Sequence, residues 1–123
     1  MRNRNKILKK LGIRLLEINQ LTSEVETIAF SKLGVTLDMA KLTIMGHGFG
    51  GTTAILMASK DKRIKNLITF DPWLPPLSEE ILSRAVTVSQ PHCSINSELF
   101  NDNVPENWKL LDTLFRDAKR RNA

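Results

Sequence analysis

Apolar residues recur at near-helical spacing early in the chain, at Ile7, Leu8, Leu11, Leu15, Ile18, Leu21 and Val25, with charges between them. That period predicts an amphipathic helix over residues 6–30. No proline interrupts it, and only Gly12 weakens it. Gly34 closes the region. The pattern then changes: Lys41-Leu42-Thr43-Ile44-Met45 is a short apolar run of the kind a buried strand shows. It stops at Gly46-His47-Gly48-Phe49-Gly50-Gly51. Helical spacing returns over Thr52 to Lys60, with Ala54, Ile55, Met57 and Ala58 apolar, and Asp61 to Lys65 makes a charged turn. Asn66 to Phe70 reads as a second buried strand, ended by Asp71. Pro72, Pro75 and Pro76 enforce a loop. A short helix starts at Ser78, which is suited to cap it, and runs to Ser83. A third strand follows around His92 to Asn96. Residues 106–121 close with a helix bearing Trp108, Leu111, Leu114 and Phe115.

Strands separated by helices imply the α/β class, with a parallel sheet. Three strands are few for such a sheet, and both edges would stay open. The expectation is therefore a part of a larger fold. A length of 123 residues suits one domain. With 41% hydrophobic residues the composition excludes charge-driven disorder. No apolar run is long enough for a membrane-spanning helix. The single cysteine, Cys93, excludes an intrachain disulfide and a cysteine-rich zinc site.

Charge adds a polarity. Arg2, Arg4, Lys6, Lys9, Lys10 and Arg14 face one acid, Glu17, within the first 20 residues, which carries the whole net charge of +5. The remainder balances, apart from a basic tail at Arg116, Lys119, Arg120 and Arg121. Nucleic acid is therefore not an expected partner. The basic start reads first as a solvated helix with one apolar face on a core. An anionic membrane surface met through residues 1–20 is a second reading, and a mitochondrial transit peptide a third. With no secretory pattern, the expected location is cytoplasmic.

The chemistry concentrates at the glycine turn, where α/β proteins place function between strand and helix. Gly46, Gly48 and Gly51 satisfy the dinucleotide pattern G-x-G-x-x-G, and Asp71 ends the next strand, where a ribose-binding acid would sit. This gives a Rossmann-like binding module. The same segment also fits the nucleophile elbow G-x-S-x-G, with Gly46 and Gly50 kept and Gly48 at the centre. Glycine tolerates the strained backbone of an elbow, so the turn survives there without its nucleophile.

The flanking residues favour the elbow. Gly46-His47-Gly48-Phe49-Gly50-Gly51-Thr52-Thr53-Ala54 resembles the GHSFGGAT segment of platelet-activating factor acetylhydrolases, the group VII phospholipases A2. Phe70-Asp71-Pro72-Trp73-Leu74-Pro75-Pro76-Leu77 resembles that family's LDAWMFPL segment. Gln90-Pro91-His92-Cys93-Ser94-Ile95-Asn96-Ser97-Glu98 resembles its QPLFFINSE strand. The three segments occur in the family's order over roughly residues 36–100.

The resemblance implies a partial α/β-hydrolase core over residues 36–123, preceded by a basic helix and linker over 1–35. It implies calcium-independent hydrolysis of short sn-2 acyl esters of phospholipids by a Ser-Asp-His triad, with no cofactor and no metal. Gly48 stands at the serine's place and Asp71 at the aspartate's, and the backbone N–H of Phe49 matches an oxyanion-hole donor. Trp73 and Leu74 match positions that could line an acyl pocket. The family's histidine follows the Ile-Asn-Ser-Glu strand, and neither histidine here, His47 or His92, matches it. Thr52 and Thr53 lie past the apex of the turn. The expectation is a catalytically silent fragment or degenerate relative; the alternatives are the Rossmann-like dinucleotide-binding module and a non-catalytic pseudoenzyme that binds lipid or a partner such as an intact paralogue. Of the remaining residues, His47 is expected packed beneath the elbow, Cys93 buried and inert, and Trp108 and Phe115 in the core.

Overall fold

A computed structural model of the chain describes residues 2–121, so Met1 and the last two residues lie outside it. Helix α1 (Arg2–Leu33) leads through a single 3-10 turn (Met39–Lys41) to strand β1 (Thr43–His47). Then come α2 (Phe49–Lys60), β2 (Asn66–Phe70), a 3-10 turn at Pro75–Leu77, α3 (Ser78–Leu82), β3 (His92–Ile95), α4 (Glu98–Asn103) and α5 (Glu106–Arg121). The three strands are parallel and lie in chain order, β1-β2-β3.

Helix α1 outruns its expected limits at both ends. It ends where Gly34 turns left-handed (φ 65°) and its N–H bonds the Phe30 carbonyl at 3.0 Å, a glycine stop that needs no side chain. Helix α2 begins three residues earlier than the spacing predicts, because the glycines themselves form its first turn. Helix α4 is absent from the sequence reading. Its six residues are too few to show a period, and Ser97 starts it by accepting the Phe100 N–H at 3.2 Å. Ser78 is not a cap: it is the first residue of α3, Leu77 precedes it as N-cap, and no side chain caps that end.

Register decides what the helices cover. Ile44, Leu67 and His92 share one row, and Gly46, Thr69 and Ser94 another, both on the face that meets the helices. Helix α2 lies over that face, and Phe115 of α5 stacks on His92 with ring centroids 4.8 Å apart. The core fills this layer: Leu11, Ile55, Ile64, Leu67, Leu74, Leu77, Ile81, Val88, Leu111 and Leu114 are all essentially inaccessible. The alternate residues face the other way. Met45 is 61% exposed and Ile95 55%, and His47 and Cys93 are exposed as well.

Two expectations fail on this one-sidedness. Cys93 is exposed rather than buried, because its side of β3 carries no covering layer among the described residues. His47 likewise stands on the open face rather than packed beneath the turn. A third fails on α5, where Trp108 is 58% exposed and Phe115 only covers His92, while Leu110, Leu111 and Leu114 supply the buried stripe.

Polar ties fasten the helices. Arg4 bonds Glu80 at 2.7 Å and Glu79 at 3.2 Å, joining the start of α1 to α3. Arg63 holds Asp61 at 2.6 Å and reaches Asn19 (2.7 Å) and Ser23 (3.1 Å) on α1. The Arg63 bonds keep the Asp61 carboxyl below its ordinary pKa.

Inside the sheet a row of donors runs from His92. The Thr69 hydroxyl donates to Ser94 Oγ (3.0 Å), and Ser94 to Asn96 Oδ1 (3.3 Å). His92 Nε2 lies 2.9 Å from Thr69 Oγ1, and with the Thr69 hydroxyl turned to Ser94 the ring is the donor of that pair. Burial disfavours the charged ring and lowers the His92 pKa to about 4, from 6.5. Between those values the unfolded chain takes up a proton that the folded chain refuses. Stability from this site is thus complete above pH 6.5 and is lost as pH falls towards 4. Urea midpoints should fall across this window in the native chain. They should fall less in His92→Phe, which keeps a ring against Phe115 and cannot titrate.

Candidate active site

The site is built on the turn from β1 into α2. Gly46 ends the helix-facing row of β1, and a Cβ there would overlap the carbonyl of Gly50 in the first turn of α2. Only glycine lets strand and helix meet at that distance. Gly51 is tight as well, since a Cβ would lie 3.0 Å from the Pro72 Cβ. Gly50 would meet nothing within 4 Å, so space does not require its glycine.

Gly48 sits between them at φ 55°, ψ −120°, a conformation natural to glycine and strained for other residues. A Cβ built on it meets nothing within 4 Å. The backbone therefore presents position 48 outward into open space, as an elbow presents its nucleophile. No reactive atom is there.

Main-chain bonds lock the turn to the acid-bearing loop. The Gly48 N–H donates to Phe70 O at 3.0 Å. The Gly48 carbonyl accepts from Thr52 N (3.2 Å) and from Trp73 N (3.1 Å). The buried Thr52 hydroxyl donates to the Trp73 carbonyl at 2.5 Å. Leu74, fully buried, donates its N–H to Asn107 Oδ1 of α5 at 2.8 Å. Trp73 is half-buried.

Asp71 adopts φ 42°, unusual for a residue with a side chain. Its surroundings compensate: its N–H bonds Ile95 O at 3.0 Å, and Ser97 grips the carboxylate through its N–H (2.6 Å) and its hydroxyl (2.8 Å). Ser97 thus holds Asp71 while capping α4. Sequence reading quoted Ser97 only as part of a matching strand. A serine just before an acid, at the end of a strand, was the available sign of a cap.

The structure gathers Gly46, Gly48, Phe49, Gly51, Asp71 and Trp73 at the carboxyl end of the sheet. It does not bring either histidine to them as a base. His92 pairs with Leu67, three rows from the row of His47 and Phe70, which is roughly 10 Å along the strands. His47 stands on the open sheet face. Among the described residues, no group of three or more His, Cys, Asp or Glu could hold a metal. No described helix is long and apolar enough to cross a membrane.

A parallel sheet, helices at its strand ends and an elbow-shaped strand-turn-helix at its carboxyl edge define part of an α/β-hydrolase core. The comparisons fix the family. Residues 5–122 match the profile of the family described as platelet-activating factor acetylhydrolase, isoform II. The chain belongs to that family. It is 36% identical over 86 residues to a platelet-activating factor acetylhydrolase of Cavia porcellus, covering 70% of this chain and 19% of that protein. The proteins of the same name from Canis lupus familiaris and Bos taurus are 37% and 42% identical over 86 residues, each covering 70% of this chain and 18% of the relative. The matched segment thus spans about a fifth of the length of these relatives.

The space around each glycine sets an order of sensitivity. Gly46→Ala should destabilise by about 3 kcal/mol or more, since strand and helix must separate. Gly48→Ala should cost only about 1–3 kcal/mol, for backbone strain alone. Urea denaturation checks the ranking; equal losses would mean that the turn does not have this geometry.

Proposed function

We propose that this chain carries the nucleophile elbow and acid segment of a platelet-activating factor acetylhydrolase in a form that does not hydrolyse esters. One observation carries the reading: Gly48 holds an elbow conformation that glycine takes without strain, and a Cβ built on it meets nothing within 4 Å. In a competent site a serine there would attack the sn-2 carbonyl of a phospholipid bearing a short acyl chain. The Phe49 N–H, which opens α2 and has no intrahelical acceptor, would stabilise the oxyanion. Asp71 would orient a histidine. The scaffold for the first two roles stands, and Ser97 keeps Asp71 fixed, but nucleophile and base are both missing from the site. Family membership supports this reading of the glycines over a dinucleotide loop.

Hydrolysis of a short-chain phospholipid ester by the purified chain should lie at the blank, on the order of 10⁶-fold below a serine-bearing enzyme. Gly48→Ser should not restore it, because no base is in place. Saturable turnover by the unmodified chain would overturn the proposal, and turnover by Gly48→Ser alone would show that a base is supplied.

A lipid-facing role also draws on α1. Lys6, Lys9 and Lys10 are exposed there together with Ile13 and Leu16, a pairing of cations and apolar groups suited to an anionic bilayer. Sedimentation with vesicles containing anionic lipid should fall with added salt and fall further in the Lys6, Lys9 and Lys10→Gln variant. Binding indifferent to both would exclude that surface.

A further inference from the structure

One stripe of α1 is turned to the other helices: Arg4, Leu8, Leu11, Gly12, Leu15 and Asn19 recur at helical spacing. The stripe is tied at both ends. Arg4 bonds Glu80 of α3 at 2.7 Å, and Asn19 accepts from Arg63 at 2.7 Å. About 22 Å of helix lies between these ties. Gly12 stands in the middle of it. Glycine inside a helix is less stable than alanine. Neither strain nor crowding asks for it here, since Gly12 has no positive φ and a Cβ built on it meets nothing within 4 Å. What it leaves is space.

Two cavities meet there, both bordered by Gly12, Leu15 and Lys60. They differ in chemistry. The larger, about 560 Å³, has Asn19, Lys60, Asp61 and Arg63 on its wall. The smaller, about 290 Å³, is walled by Leu8, Leu56, Leu77 and Val86, with Glu80 as its one acid. Charge reduces to a single group. Asp61 is held by Arg63 at 2.6 Å, and Glu80 by Arg4. Lys60 is exposed and makes no ion pair among the described residues. No strand residue borders either cavity. Layers that complete a parallel sheet meet its edges or its uncovered face, so this groove between helices lies away from them.

We propose that the groove binds a single-chain carboxylate, with its head on Lys60 and its hydrocarbon tail in the apolar cavity past Gly12. The volumes are those of small-molecule sites. An unpaired cation where a polar cavity meets an apolar one selects an amphiphile with a negative head. A neutral chain would leave Lys60 unused, and a cationic head would be repelled by it. The missing side chain at position 12 lets the tail lie directly against the helix backbone.

Calorimetric titration of decanoate into the full chain, at low salt and below micelle formation, should saturate at one molecule per chain. Gly12→Leu fills the space. It should weaken binding about tenfold or more, while the urea midpoint holds or rises because leucine favours a helix over glycine. Lys60→Gln should weaken decanoate about tenfold and leave decanol, the same chain with a neutral head, unchanged. Lys9→Gln removes an exposed cation of α1 that does not border the groove, and should change neither. Absence of saturable binding at millimolar decanoate would overturn the proposal. So would full binding by folded Gly12→Leu. Equal weakening by Lys9→Gln and Lys60→Gln would assign the binding to general positive charge and overturn it too. Should Gly12→Leu not fold, Lys60→Glu decides at an exposed position: decanoate lost with decanol kept supports the groove, and decanoate retained overturns it.

Discussion

No side chain fits between residue 46 and the first turn of α2. This constraint sets the rest of the site. With Gly46 against the Gly50 carbonyl, β1 stops and α2 starts within two residues, and the chain between them must reverse through a positive φ. Gly48 takes that conformation without strain. The tight reversal presents the Gly48 carbonyl to Trp73, and the loop after β2 is thereby fixed against the turn. Gly51 lets Pro72 close on α2 from the same loop. Strand, helix and acid loop are assembled around one contact that admits no Cβ.

The arrangement separates support from chemistry. Thr52, Asn107 and Ser97 each use a side chain to hold backbone or carboxylate in place, and two of them are buried. Such bonds are strong in a dry setting and costly to leave unmade. They persist around a turn whose apex has no side chain. The Asp71 backbone, in a region that ordinary residues avoid, keeps its conformation because Ile95 and Ser97 hold both its ends. A scaffold this constrained keeps one form of the turn although its apex carries no side chain.

Much of this was legible in the chain. Period and glycine spacing placed three strands, α1, α2, α3 and α5 close to their observed limits, and the G-x-G-x-G frame located the turn. The side chains that were misread share one cause. Cys93, His47 and Met45 alternate correctly as strand residues, but periodicity cannot say whether a layer covers a given face. An apolar strand residue suggests burial, and among the described residues no layer covers one side of the sheet. On α5 the aromatic residues drew attention, while leucines one turn apart carried the packing. Ser97 and Thr52 were illegible as supports because their partners lie 26 and 21 residues away. Only the folded backbone brings such pairs together.

The strands stand side by side in the order in which they are encoded. Among the described strands, each therefore pairs with the one that precedes it in the chain. The acid loop is tied by segments that follow it in the chain: Ile95 and Ser97 hold Asp71, and Asn107 of α5 holds Leu74.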